Sequence, residues 1–207
     1  MTIRVKICGI TSPSDAEFVC ASGVDAIGLV FYEKSPRNVT VQQALDICKV
    51  VPPFVTVVGL FVNMPADELN TILQQVPLDL LQFHGAESPD YCSAFSRPYI
   101  KAVPMKGLSD FAAYADQYTD AKGFLVDSHA PDSVGGSGKT FDWTQIPKSC
   151  SKPIILAGGL NPENIAAAIE MMNVYAVDVS SGVEALPGKK DQAKVEAFMR
   201  VIKNGRR

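Results

Sequence analysis

The residues of this chain best suited to chemistry are few and far apart: Cys8, Arg37, Asn63, His84, Asp127, the pair Gly158-Gly159 and the run Ser180-Ser181-Gly182. A thiol and a carboxylic acid can between them deliver and remove protons. A planar guanidinium can hold a carboxylate through two parallel bonds. Paired glycines leave backbone N–H groups open to a phosphate, most effectively where a helix begins close by.

A second glycine-rich stretch, SVGGSGKT (133–140), invites comparison with the phosphate loop of a nucleotide hydrolase. That loop needs glycine at its first position and a helix directly after Lys-Thr. Here the first position is Ser133, and proline at 147 interrupts a segment already too short for that helix. A nucleotide site is therefore disfavoured. Three glycines in four positions instead predict a mobile loop, and residues 132–140 are expected to close over bound substrate as a lid, with Lys139 or Thr140 at its rim. His129, in the same loop, is expected to be exposed.

Composition narrows the partners. Of 207 residues 47% are hydrophobic and the formal net charge is -3, with no basic run longer than the pairs Lys189-Lys190 and Arg206-Arg207. This disfavours nucleic-acid and membrane-binding faces, so the expected partner is a small molecule. No secretory leader pattern and no apolar run of 18 residues is present, which predicts a cytoplasmic location. The five cysteines (8, 20, 48, 92 and 150) form no CxxC pair, so reduced thiols are expected rather than disulfides or a metal site. Cys20, Cys48 and Cys92 fall in helical stretches and read as small buried hydrophobes.

The elements that position these groups follow from a repeating rhythm. Short apolar runs at 5–8, 26–31, 55–61, 80–83, 100–103, 124–127, 154–157 and 175–179 alternate with helical spacing at 14–21, 41–50, 66–75, 89–95, 109–118, 162–171 and 192–202. Thr40, Ser109 and Asn161 are expected N-caps. Apolar strands alternating with helices imply a parallel sheet covered on its outside. Eight of them predict a single (β/α)8 TIM barrel of near-minimal length spanning 1–207. An open doubly wound sheet is the competing architecture, but no Gly-x-Gly-x-x-Gly follows the first strand.

In such a barrel the site lies at the C-terminal ends of the strands, where the polar residues named above all fall. The loops after strands seven and eight, with Gly158, Gly159, Ser180, Ser181 and Gly182, are the expected phosphate cradle. Strand parity adds a buried pair. Lys6 and Cys8 share a face, so a thiol facing the interior puts the ammonium one layer deeper, where Asp178 of strand eight is the expected counter-charge.

In order along the chain, VKICGIT (5–11), GLVFYEKSPRNV (28–39), GLFVN (59–63), LQFHG (81–85), FLVDS (124–128), GGSGKTFDW (135–143), ILAGGLNPENI (155–165), and DVSSGVE with PGKKD (178–184, 187–191) resemble the phosphoribosylanthranilate isomerases of tryptophan biosynthesis. The resemblance implies an Amadori rearrangement of an aminoaldose 5-phosphate to an aminoketose, with no metal and no cofactor. It implies Cys8 as general base, Asp127 as general acid and Arg37 as partner of the anthranilate carboxylate. Asn63 and His84 are expected to line the site, although a satisfied core or rim histidine is an equal reading of His84. The acid needs its pKa raised toward working pH, which the apolar residues 124–126 favour, whereas the cationic nitrogen of the Schiff-base intermediate, close to Cys8, should lower the thiol from about 8.5. A monomer or homodimer is expected.

Two alternatives compete. The analogous barrel isomerase of histidine biosynthesis resembles a duplicated half-barrel with aspartate ending strand one, where this chain has Cys8. A non-catalytic sugar-phosphate binder would need the cradle and Arg37 but would have no use for an acid and a base.

Overall fold

The computed structural model describes residues 3–127, 150–171 and 174–205. Eight parallel strands pair in chain order and close into a barrel: β1 (Arg4–Cys8), β2 (Ala26–Phe31), β3 (Thr56–Phe61), β4 (Leu80–Phe83), β5 (Tyr99–Pro104), β6 (Phe124–Asp127), β7 (Ile154–Leu156) and β8 (Ala176–Val179). Around them lie α1 (Pro13–Ala21), α2 (Val41–Cys48), α3 (Ala66–Gln75), α4 (Pro89–Ser93), α5 (Phe111–Ala115), α6 (Ile165–Met171) and α7 (Gln192–Asn204). The expected TIM barrel is the fold observed, with strand ends within two residues of expectation. The loop 128–140, its lid role and His129 lie outside the described residues.

Alternation along each strand separates two cores. Outward residues such as Val5, Ile7, Ile27, Leu29 and Leu81 pack under the helices. Phe31, Phe61 and Phe83 extend that layer across β2 to β4, with ring centroids 5.3 and 6.5 Å apart. Full burial of each such ring contributes roughly 1.5–3 kcal/mol. Inward residues are smaller and form two clusters, Cys8 with Val30 and Leu60, and Ala102 with Leu125 and Ala157. Small side chains there leave room for Lys6, Gln82, Asp127 and Asp178, all buried.

Helix starts follow their caps. Ser12 caps α1 ahead of Pro13, and Thr40 with Gln43 forms a reciprocal capping box on α2. Two expectations shift. Asp110, not Ser109, caps α5, because its carboxylate accepts from the Ala113 N–H; this helix ends at Ala115. Asn161 accepts from the Glu163 and Asn164 N–H groups and holds residues 162–164 in a turn, so α6 begins only at Ile165.

One element was not anticipated. After β8 the chain forms an antiparallel two-stranded strap, β9 (Glu184–Leu186) and β10 (Lys189–Lys190), turning at Pro187-Gly188. The Thr11 hydroxyl donates to the Gly188 carbonyl, and the Lys190 N–H donates to Asp15. The strap is thus docked on the chain leading from β1 into α1. No helix among the described residues is long and apolar enough to cross a membrane.

Candidate active site

Cys8 ends β1 in register with Gly28 of β2. A Cβ at position 28 would stand 2.6 Å from the Cys8 Sγ, so the thiol occupies space that only glycine leaves. One layer deeper, Lys6 Nζ donates to Asp178 Oδ2 at 2.7 Å, both groups being buried and in register on neighbouring strands. Burial works against the Lys6 charge, but Asp178 and Cys8 outweigh it and raise its pKa above the ordinary value. For Cys8 the balance reverses. Burial pushes the thiol up, and the cations of Lys6 and Lys190 offset this only in part. Each cation does lower the thiol, but full desolvation is the larger effect.

Asp127 ends β6 and is buried. His84 Nε2 stands 3.6 Å from its Oδ2, and the other ring nitrogen of His84 is bonded to the Gln82 amide at 2.9 Å. His84 therefore sits against the carboxylate of Asp127, supported from within the barrel by a fully buried glutamine.

Arg37 lies in the loop after β2 and is buried. Its Nε and Nη2 donate to the two oxygens of Glu184 at 2.8 and 2.7 Å, and that bond chiefly raises its pKa. Its stem crosses Gly9, where a Cβ would come within 2.5 Å of the Arg37 Cδ; the φ of 78° at Gly9 also favours glycine. Lys190 Nζ donates to Glu184 Oε1 at 2.7 Å and to the Ser180 carbonyl at 3.2 Å. Burial would raise the Glu184 carboxyl, but the bonds from Arg37 and Lys190 hold it below its usual value. In Lys190 the desolvation wins over Glu184, and its pKa is lowered.

The loops after β7 and β8 meet. Gly158 and Gly159 adopt φ of 84° and 66°, and the Gly159 carbonyl accepts from the Asn164 amide at 2.9 Å. A Cβ at Gly182 would lie 1.9 Å from the Leu160 carbonyl oxygen, so close packing of the two loops itself requires that glycine. Ser180 precedes a single 3-10 turn, Ser181–Val183. Asn63 is occupied elsewhere: its Oδ1 accepts from the Ala86 N–H at 2.8 Å, and its N–H donates to Glu87. Glu87 also accepts from Gly85 and pairs with the buried Lys101, a knot that ties the loops after β3 and β4.

Sequence reasoning missed Gly28, Gln82, Glu184 and Lys190. Gln82 was within reach, since on β4 it shares parity with His84 just beyond the strand's end. Glu184 and Lys190 lay in a segment read as loop, where charge defaults to solvent. The Pro187-Gly188 turn signal could have revealed the strap.

Fold and site together define a (β/α)8 barrel whose ionisable groups converge at the C-terminal ends of the strands, the face at which barrel enzymes work. Residues 5–201 match the family model described as N-(5'phosphoribosyl)anthranilate (PRA) isomerase. An N-(5'-phosphoribosyl)anthranilate isomerase of Pseudomonas fluorescens is 55% identical over 202 residues, 98% of this chain and 96% of its own. One of Azotobacter vinelandii is 52% identical, with 98% of each chain covered. Among solved structures, phosphoribosyl anthranilate isomerase from Thermus thermophilus superposes with a TM-score of 0.89 at 34% identity, covering 99% of this chain and 100% of that one. A phosphoribosyl anthranilate isomerase in complex with reduced 1-(o-carboxyphenylamino)-1-deoxyribulose 5-phosphate superposes with a TM-score of 0.84 at 39% identity, covering 98% and 99%. The chain belongs to the N-(5'-phosphoribosyl)anthranilate isomerase family.

Proposed function

We propose that residues 1–207 form one catalytic domain that converts N-(5-phosphoribosyl)anthranilate to 1-(o-carboxyphenylamino)-1-deoxyribulose 5-phosphate in tryptophan biosynthesis. The observation that carries this reading is the placement of a buried thiol and a buried carboxyl, Cys8 and Asp127, at the same mouth of one barrel. Asp127 protonates the furanose oxygen, and the ring opens to a protonated Schiff base. Cys8 then removes the acidified C2 proton, leaving an enolamine that tautomerises to the aminoketose. The cationic nitrogen of the Schiff base supplies the charge that draws the thiol toward thiolate, which burial alone opposes. No step calls for a metal or a redox cofactor.

His84, against Asp127, orients the acid and steadies the carboxylate left when its proton has gone. Lys6 and Asp178 support the site from below: the ion pair fixes the Lys6 ammonium one layer under Cys8. The phosphate is held by Gly158, Gly159, Ser180, Ser181 and Gly182, as the left-handed glycines and the close approach of the two loops favour. Arg37 meets the anthranilate carboxylate through the part of its guanidinium that Glu184 leaves uncovered. Asn63 lines the rim through the loop it fixes. A phosphorylated small molecule is the partner, in a cytoplasmic monomer or homodimer.

The test is turnover of freshly prepared phosphoribosylanthranilate, followed as loss of substrate fluorescence. Steady conversion to the aminoketose is expected; folded protein that leaves the substrate untouched would overturn the reading.

A further inference from the structure

We propose that Glu184 is a positioning residue that, through the β9–β10 strap, sets the selectivity of the site for an aryl group bearing a carboxylate. The proposal rests on the reading that Arg37 receives that carboxylate. Arg37 has three nitrogens, and Glu184 takes two of them, Nε and Nη2, in a side-on bidentate pair at 2.8 and 2.7 Å. An incoming carboxylate therefore meets the Nη1 end, in a plane that Glu184 fixes. The stem packs on Gly9 so closely that a Cβ there would meet its Cδ at 2.5 Å, which closes that side to any swing.

Charge supports the same role. Arg37 and Lys190 are both buried, and Glu184 is the carboxylate they share, so the three groups together carry one net positive charge. One further carboxylate neutralises the cluster, while a neutral aryl group leaves its charge uncompensated although all three groups are buried. The strap makes this arrangement rigid. Glu184 and Lys190 are paired across it, and its turn is anchored on Thr11 and Asp15.

The test compares Kd values, by calorimetry, for the reduced aminoketose phosphate and for its counterpart lacking the carboxyl group. Glu184→Gln adds one positive charge to the cluster, which by charge alone would strengthen binding of a carboxylate; because the guanidinium loses its fixed plane, the ratio of the two Kd values should nevertheless shrink by at least about tenfold, mostly through weaker binding of the carboxylated ligand. Binding of the carboxyl-free ligand should change by less than about twofold, and KM should rise more than kcat falls. Equal weakening of both ligands, or an unchanged or enlarged ratio, would overturn the proposal. Glu184→Asp keeps the charge but withdraws the oxygens from the guanidinium; it should lie between the native protein and Glu184→Gln, and if Glu184→Gln does not fold, an Asp variant with native selectivity would overturn the proposal. Arg37→Met separates the two readings. If it leaves the ratio untouched, Arg37 does not bind the carboxylate; if it abolishes the ratio while Glu184→Gln preserves it, only the role of Glu184 fails.

Discussion

At the scale of single residues, desolvation governs the mouth of this barrel as much as charge does. Cys8 has an ammonium beside it, yet burial dominates and its pKa stands above the ordinary value. At neutral pH the resting thiol is consequently protonated. Alkylation of Cys8 by iodoacetamide should be slower at pH 7 than that of a free thiol, and should still be climbing as pH passes about 8.5. An inflection well below that value would show that Lys6 and Lys190 outweigh burial. Residue identity was partly legible from sequence. Lys6 and Asp178 could be placed together from strand parity and barrel closure, because period two and neighbouring strands leave few other geometries. The direction of the Cys8 shift was not legible, since it depends on how completely Gly28, Val30 and Leu60 enclose the sulfur.

At the scale of elements, the site depends on places where a side chain is missing. Gly28 is the clearest case. A methyl group there would meet the Cys8 Sγ at 2.6 Å and its Cα at 3.1 Å, and because strand pairing holds the backbone, the sulfur is the atom that must turn away. Gly28→Ala should lower kcat by about 10- to 100-fold, the usual consequence of displacing a reacting group by a fraction of an ångström to 1 Å, while the barrel still forms. Native kcat in that variant would mean that the thiol position is not critical. Strands were easy to read, because fully buried parallel strands are continuous apolar runs. The strap was not, because two short strands carrying Glu184 and Lys190 look like a solvated loop until Arg37, 147 positions away, is seen to complete them.

At the scale of the whole molecule, a ring of eight strands brings residues from positions 8 to 190 to one mouth; an ion pair joins its first and last strands, and another ties the loop after β2 to the strap. This makes stability sensitive to acid. The Glu184 carboxyl is held below its ordinary value in the folded chain, so its contribution is present above about pH 4.5 and is lost as pH falls through the lowered value. Denaturant unfolding should show Glu184→Gln less stable than the native protein near neutrality, with the gap closing below about pH 4. A gap that widened in acid would contradict the direction of the shift. Barrel architecture was legible because eight repeats of one unit outvote errors at any single boundary.

The central claim is that Cys8 and Asp127 divide proton transfer between them. It is tested most directly by kcat for Cys8→Ala and Asp127→Asn on phosphoribosylanthranilate, with folding checked by circular dichroism. Each variant should lose at least about 100-fold in kcat, the scale of general acid or base catalysis. A folded variant of either residue that turns over at near-native kcat would contradict the assignment of that residue.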